Sequence, residues 1–250
     1  MGSWVWVGFA AFFVVALVVG VRVLLLALRT HELPELAMGI GVLGIGPVGF
    51  GLMVIGIRVA PGVVQSVLLG IAVLAISCGV LANLVFNWRV YRPDSSVARM
   101  VAVAGGAGLF ACFAWSGVVH GFTDVGPVST QSSTRSALQV ACLLWSAAEA
   151  LAYWSKMRRR VRVGLADPVV ANRFLMWGVA TFSAGLGTAI GLVAQLVLGV
   201  ASTDSGWVMA SSSLHGLVAA VAIALAFIPP GFYVRYIRGL ADHDLAALRA

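Results

Sequence analysis

The sequence predicts an all-α, polytopic membrane protein of seven transmembrane helices, and three observations predict it. Of 250 residues, 61% are hydrophobic and 10% are charged, whereas an ordinary water-exposed domain carries about 45 to 50% and about 25%. The apolar residues gather into seven stretches, near 3–28, 36–57, 62–88, 99–121, 135–156, 172–199 and 207–230, each close to the length of about 20 residues that crosses a bilayer. Within them the chain runs apolar throughout instead of alternating, so the stretches read as helices and not as strands of a barrel. The chain then divides into a seven-helix transmembrane domain, 1–230, and a tail, 231–250, with no room for a large soluble domain.

The elements follow in order. Met1 to Val21 contains no Lys or Arg to form a basic leader region, so the first stretch is expected to stay as helix 1. The second holds Gly39, Gly41, Gly44, Gly46, Gly49, Gly51 and Gly56 with Pro47 in its middle, a composition for close packing and a kink. The third carries Asn83 and Asn87 near its end, the fourth Ser116 and His120, the fifth Gln139 and Glu149. A basic run, Lys156 to Arg162, is closed by Asp167-Pro168, which reads as an N-cap and the first position of helix 6. Helix 6 repeats the glycine theme with Gly178, Gly185, Gly187 and Gly191, and carries Gln195; helix 7 holds Ser211 to Ser213 and His215. Beyond Pro229-Pro230-Gly231, apolar residues return at helical spacing with Arg235, Arg238 and Asp242 between them, predicting a short amphipathic helix on the membrane surface. Cys78, Cys112 and Cys142 are odd in number and lie inside spans, which argues against a disulfide framework.

Charge sets the expected orientation. Thirteen basic residues fall on one side: Arg29; Arg89, Arg92 and Arg99; Lys156, Arg158, Arg159, Arg160, Arg162 and Arg173; Arg235, Arg238 and Arg249. Arg58 and Arg135 fall on the other, and Arg22 lies within span 1. Basic loops stay cytoplasmic, so the expectation is N-out and C-in. Trp4, Trp6 and Trp207 then lie at the outer interface, and Trp88, Trp154 and Tyr153 at the inner one. The net charge of +7 lines membrane flanks, a distribution suited to anionic lipid headgroups and not to nucleic acid. The exposed basic face of Lys156, Arg158, Arg159, Arg160 and Arg162 serves either as a lipid anchor or as a dock for a cytoplasmic partner.

Polar groups within spans are costly and are the first candidates for function. Glu149 is the one acidic residue inside a span and Arg22 the one cation at similar depth, so a buried cluster of Arg22, Asn83 and Glu149 is expected, either as a structural pair or as a proton relay. In the outer half, SxxxH occurs twice, at Ser116 with His120 and at Ser211 with His215. Four-residue spacing puts hydroxyl and imidazole on one helix face, and Asp124 follows His120 by another four. Ser116, His120, Asp124, Ser211 and His215 form the expected ligand-binding set. A haem held between His120 and His215 would need them at one level, and they differ in depth. Retinal needs an intramembrane lysine, and the single lysine, Lys156, stands at the end of span 5.

The SxxxH pattern resembles one element of the seven-helix zinc hydrolases that include alkaline ceramidases and adiponectin receptors. Their paired HxxxH in the last helix is absent here, and a zinc site would need a third ligand such as Asp124. No metal and no cofactor is therefore expected. RTHELPELAMGIGVLGIGPVGF, residues 29–50, and RRRVRVGLADPVVANRFLMWG, residues 158–178, resemble segments of seven-helix bacterial proteins of no assigned activity. That resemblance implies a multi-pass protein of the bacterial inner membrane. In outline the chain is also similar to seven-helix receptors, with Arg89-Val90-Tyr91 after span 3 and Pro230-Gly231-Phe232-Tyr233 after span 7.

With no complete catalytic constellation, binding is expected ahead of catalysis: a receptor-like protein taking a small or lipidic ligand between its outer helix halves. A small-solute or proton-coupled transporter is the alternative, and an intramembrane metal-dependent hydrolase the third reading. The sequence leaves homo-oligomerisation open. The topology makes a direct prediction: in intact cells an impermeant thiol reagent modifies a cysteine placed at Ser129 and spares one at Ser95. The reverse pattern overturns the orientation.

Overall fold

The computed structural model describes residues 5–59, 61–123, 128–201 and 205–249, and among these every regular element is helical. Seven long helices follow one another: α1 (Val5–Thr30), α2 (Leu33–Arg58), α3 (Val63–Tyr91), α4 (Ser96–His120), α5 (Thr130–Arg162), α6 (Pro168–Leu198) and α7 (Gly206–Phe227), then the tail helix α8 (Gly231–Arg249). All seven are long and apolar enough to cross a membrane.

Local chemistry explains where the ends depart from the hydropathy reading. Helix α5 begins at Thr130, inside a polar stretch that hydropathy assigns to a loop. Ser129 and Ser132 form a reciprocal cap there, the Ser132 amide donating to Ser129 Oγ (3.1 Å) and the Ser129 amide to Ser132 Oγ (3.2 Å). At its far end the basic run simply continues the helix to Arg162. Asp167 Oδ1 accepts from the Val169 amide at 2.7 Å with Pro168 at the first position, so α6 starts as the sequence predicts. Ser95 caps α4, accepting from the Ala98 amide. Ser95 and Ser129 thus cap helices at opposite ends of the bundle.

Consecutive helices pack as antiparallel neighbours, and α7 returns beside α1 to close a ring. Small residues set these contacts, because apolar surface alone does not drive helices together in hydrocarbon. Gly8 of α1 lies against the Ser213 carbonyl of α7, where any Cβ would collide. Gly44 of α2 faces α3, and a Cβ there would stand 2.6 Å from the Ala75 carbonyl and 3.0 Å from Gly79 Cα. Helix α3 is the innermost, with Leu69, Val73, Ser77, Val80, Leu84 and Asn87 buried along its length.

Pro47 lacks an N–H and its ring pushes against the preceding turn. The chain answers with a widened π-helical stretch, Gly44–Phe50, where the sequence predicts a kink. A second π stretch, Asn87–Tyr91, ends α3. The perimeter is apolar, with Val14, Leu17, Val18 and Leu25 of α1, Val103 and Val118 of α4, and Leu196 and Val197 of α6 exposed. Guanidinium groups lie over indoles at both ends, Arg58 on Trp6 at 5.2 Å, and Arg89 on Trp88 at 4.3 Å. The tail helix is tied to α6 by Asn172 Nδ2, which donates to the Tyr233 hydroxyl at 2.9 Å. Phe232, Tyr236 and Leu240 leave an exposed apolar stripe along it.

The α1–α7 contact yields a stability prediction. Gly8→Val should cost about 1 to 3 kcal/mol by overpacking, lowering the thermal midpoint in detergent, while Gly239→Ala, with open space around it, should be neutral or stabilising. Equal midpoints for the two variants would show that the Gly8 contact does not hold the ring closed.

Candidate functional site

A cavity of about 290 Å³ opens in the half of the bundle that contains the start of α1 and the end of α4. Its two walls differ in chemistry. Phe9 and Phe12 of α1, Ile45 and Phe50 of α2, and Ile76 and Val80 of α3 make an apolar wall; Ser132, Arg135, Ser136 and Gln139 of α5, with Gln195 of α6 and Ser212 and His215 of α7, make a polar one. The α5 residues recur every three or four positions, so one face of that helix supplies most of the polar surface.

His215 is oriented by backbone. Its Nδ1 lies 2.7 Å from the Ser211 carbonyl and 3.4 Å from the Ser211 hydroxyl, while Ser183 Oγ donates to the His215 carbonyl at 3.0 Å. A carbonyl only accepts, so Nδ1 carries the proton, and in the neutral tautomer this leaves Nε2 as an acceptor. Gly187 leaves space beside the ring, since a Cβ there would already approach His215 Cβ to 3.3 Å. Ser136, Gln139 and Ser212 face the same cavity with no hydrogen bond to a described residue, so their hydroxyl and amide groups are available to an occupant. Arg135 is partnered and only 6% exposed.

The expected binding set divides. Ser211 and His215 stand together on α7, with His215 in the cavity wall. Ser116 is fully buried in α4 and partnered, and His120 ends that helix with Nε2 buried and without a partner among the described residues. Helix α4 packs on α3 and α5, whereas α7 packs on α6 and α1, so the two SxxxH motifs do not share a wall. Asp124 lies outside the described residues. No three His, Cys, Asp or Glu side chains converge among the described residues, and His120 does not line the cavity of His215.

The expected cluster of Arg22, Asn83 and Glu149 is corrected. Arg22 is exposed on the perimeter of α1, and Glu149 Oε2 instead accepts from Arg92 Nε at 2.7 Å. Depth had matched Arg22 to Glu149, but α1 and α5 occupy different parts of the ring, and Arg92 stands one residue past α3 where its side chain reaches α5. Hydrogen bonding to Glu149, then the charge of that carboxylate, raises the Arg92 guanidinium above its ordinary value. Asn83 stays out of this pair, whereas Asn87 Nδ2 donates to Ser146 Oγ at 2.6 Å. Arg135, expected at the start of span 5 and counted with the charges of that side, lies more than a turn inside α5 and is buried. Lys156, Arg158, Arg159, Arg160 and Arg162 are exposed along the continuous end of α5, and Arg158 lies 5.8 Å from the centre of the Trp154 ring.

The hydropathy reading starts span 5 at residue 135, which leaves Ser132 before it, and the expected binding set omits Arg135, Ser136, Gln139 and Gln195. The signal for the α5 group was present in the spacing of 132, 135/136 and 139, continued by buried Leu143.

The ion pair carries a prediction. Arg92→Leu should lower stability by about 1 to 2 kcal/mol, because it leaves the mostly buried Glu149 carboxylate without its donor. Adding Glu149→Leu should restore most of that loss, and Arg22→Leu should restore none; thermal unfolding of the three variants checks it. Comparison of the whole chain with protein-family models, with curated proteins and with solved structures gives no match, so the reading of its function rests on this geometry.

Proposed function

We propose that the chain is a receptor-like, sensory integral membrane protein of the bacterial inner membrane that binds a small amphipathic or lipidic ligand in this cavity. In that reading it is oriented N-out and C-in, with the cavity in the outer half and the basic end of α5 in the cytoplasm. The observation that carries it is the pairing of an apolar wall with a wall of uncommitted hydrogen-bonding groups, Ser136, Gln139, Ser212 and His215 Nε2. Such sites bury an apolar body and fix its orientation through a few polar contacts. His215 Nε2 asks for a donor on the ligand, and no acidic side chain among the described lining residues favours a cation.

The apolar perimeter suits lipid tails, the α8 stripe of Phe232, Tyr236 and Leu240 suits the interface, and the basic end of α5 suits anionic headgroups or a cytoplasmic partner. Transport of a small solute is the second reading. It is favoured by the π-helical, proline-bearing segment of α2, which contributes Ile45 and Phe50 to the cavity wall and resembles the interrupted helices on which transporters build their sites.

Native mass spectrometry of the protein released from nanodiscs tests the proposal. A bound small molecule should be present in the wild type and lost in both Gln139→Leu and His215→Phe, with little change in ligand-free thermal stability. Retention of the molecule in both variants refutes the cavity as the binding site, and solute uptake into proteoliposomes decides for transport.

A further inference from the structure

The polar wall of the larger cavity has an internal order. Helices α5 and α7 enter the bundle from the same end, and their lining residues stand at matching positions. Ser136 and Ser212 each lie six residues past the first residue of their helix, Gln139 and His215 nine, and Leu143 and Ala219 thirteen. Counted along each helix, the two hydroxyls form one rung, and the amide and the imidazole form a second about 4.5 Å deeper. The apolar pair makes a floor about 6 Å below that. Between the two helices α6 presents Gly187, whose missing side chain leaves the imidazole uncovered on that side.

All four rung residues are half-buried and line open space. The Ser136 and Ser212 hydroxyls and the Gln139 amide both donate and accept, whereas His215 Nε2, with Nδ1 held by the Ser211 carbonyl, accepts only. The one charged residue in the described lining, Arg135, is partnered and almost fully buried. An ionised head would therefore lose its hydration here without an uncommitted counter-charge, at far greater cost than a hydroxyl. Phe9, Phe12, Phe50 and Ile76 stand on the opposite wall. Polar and apolar surface thus face each other across the cavity instead of following one another in depth, which suits a molecule with a polar edge and not one with a polar head on a long tail.

Resting on the reading of this cavity as a binding site, we propose that its occupant is a compact, uncharged molecule with two neighbouring hydroxyls along one edge and an apolar, ring-like face on the other. The deeper hydroxyl donates to His215 Nε2 and accepts from the Gln139 amide. The shallower one exchanges hydrogen bonds with Ser136 and Ser212, and the apolar face packs on Phe9, Phe12 and Phe50. Hydroxyls on adjacent carbons fit because hydrogen bonds of about 2.8 Å from each reach rungs about 4.5 Å apart. The volume of about 290 Å³ stands at the lower limit of small-molecule sites, about 300 Å³, and suits one or two rings better than a two-chain lipid. A site of this kind rejects an analogue that lacks the hydroxyl protons, because its own acceptor is then left unpaired.

Equilibrium dialysis of the full chain in nanodiscs against a matched series tests the proposal, with binding to protein-free nanodiscs subtracted. The series is naphthyl ethanediol, its difluoro analogue with fluorine in place of each hydroxyl, naphthoate and naphthylmethylammonium. The diol should bind about tenfold or more tightly than the other three, and His215→Leu should bring the diol and the difluoro analogue to within about twofold of each other. Should that variant fail to fold, the wild-type contrast between these two, which are close in size and differ in the protons they donate, decides alone. Equal affinity for the diol and the difluoro analogue, or tightest binding of either ion, overturns the two-hydroxyl class and leaves the cavity as a binding site. Failure of all four to bind overturns the class as well, and native mass spectrometry then separates the two readings. A bound molecule lost in Gln139→Leu keeps the cavity as a site, whereas no bound molecule removes that reading too.

Discussion

Close backbone approach at a few small residues fixes the geometry on which everything else depends. Where α7 returns to α1, Gly8 lets the Ser213 carbonyl come into contact with helix backbone, and this contact closes the ring. Where α2 meets α3, Gly44 and Gly79 do the same. In hydrocarbon there is no solvent penalty pressing apolar helices together, so dispersion across such close surfaces supplies the attraction. The 290 Å³ cavity occurs where α5, α6 and α7 turn polar residues inward.

The number of spans was legible because it depends on composition alone, which needs no tertiary information. Helix ends were less so: hydropathy discards TQSST, residues 130–134, as loop, while the Ser129–Ser132 cap makes it the first turn of α5. Capping chemistry is written in the sequence, yet it competes with a hydropathy signal that points elsewhere. The candidate site was legible in part. His215 and Ser211 were identified correctly as neighbours by four-residue spacing, since spacing along one helix is local. Whether Ser116 and His120 join them depends on which helices are adjacent in the ring, and a sequence states depth but not azimuth. The same missing coordinate misassigned the partner of Glu149, for Arg22 has the right depth and the wrong side of α1.

The two halves of the core solve the problem of buried polarity differently. Around the larger cavity, polar groups are either tied to backbone, as with Ser183 and His215, or turned toward open space. At the other end aromatic rings fill the core: Tyr91 packs on Tyr153 at 5.0 Å between ring centres, and Phe174 lies 4.7 Å from Tyr153. This cluster narrows the interior just where Glu149 and Arg92 meet, so the bundle is wide at one end and constricted at the other. The constriction belongs to α3, α5 and α6, the helices that also carry Asn83, Gln139 and Trp177.

Helix α5 runs unbroken through 33 residues, about 50 Å at 1.5 Å per residue, whereas the hydrocarbon layer is about 30 Å thick. It is a continuous beam, longer than that layer is thick, whose one end forms the polar cavity wall and whose other end carries five exposed cationic side chains. From Gln139 to Arg160 the beam measures about 31 Å, so a tilt of about 5° about the cavity end displaces the cationic end by nearly 3 Å. No hinge residue interrupts it between these points, since neither glycine nor proline occurs from Thr130 to Arg162. A displacement at either end of the beam is thereby shared by the other, because no joint lies between them to absorb it.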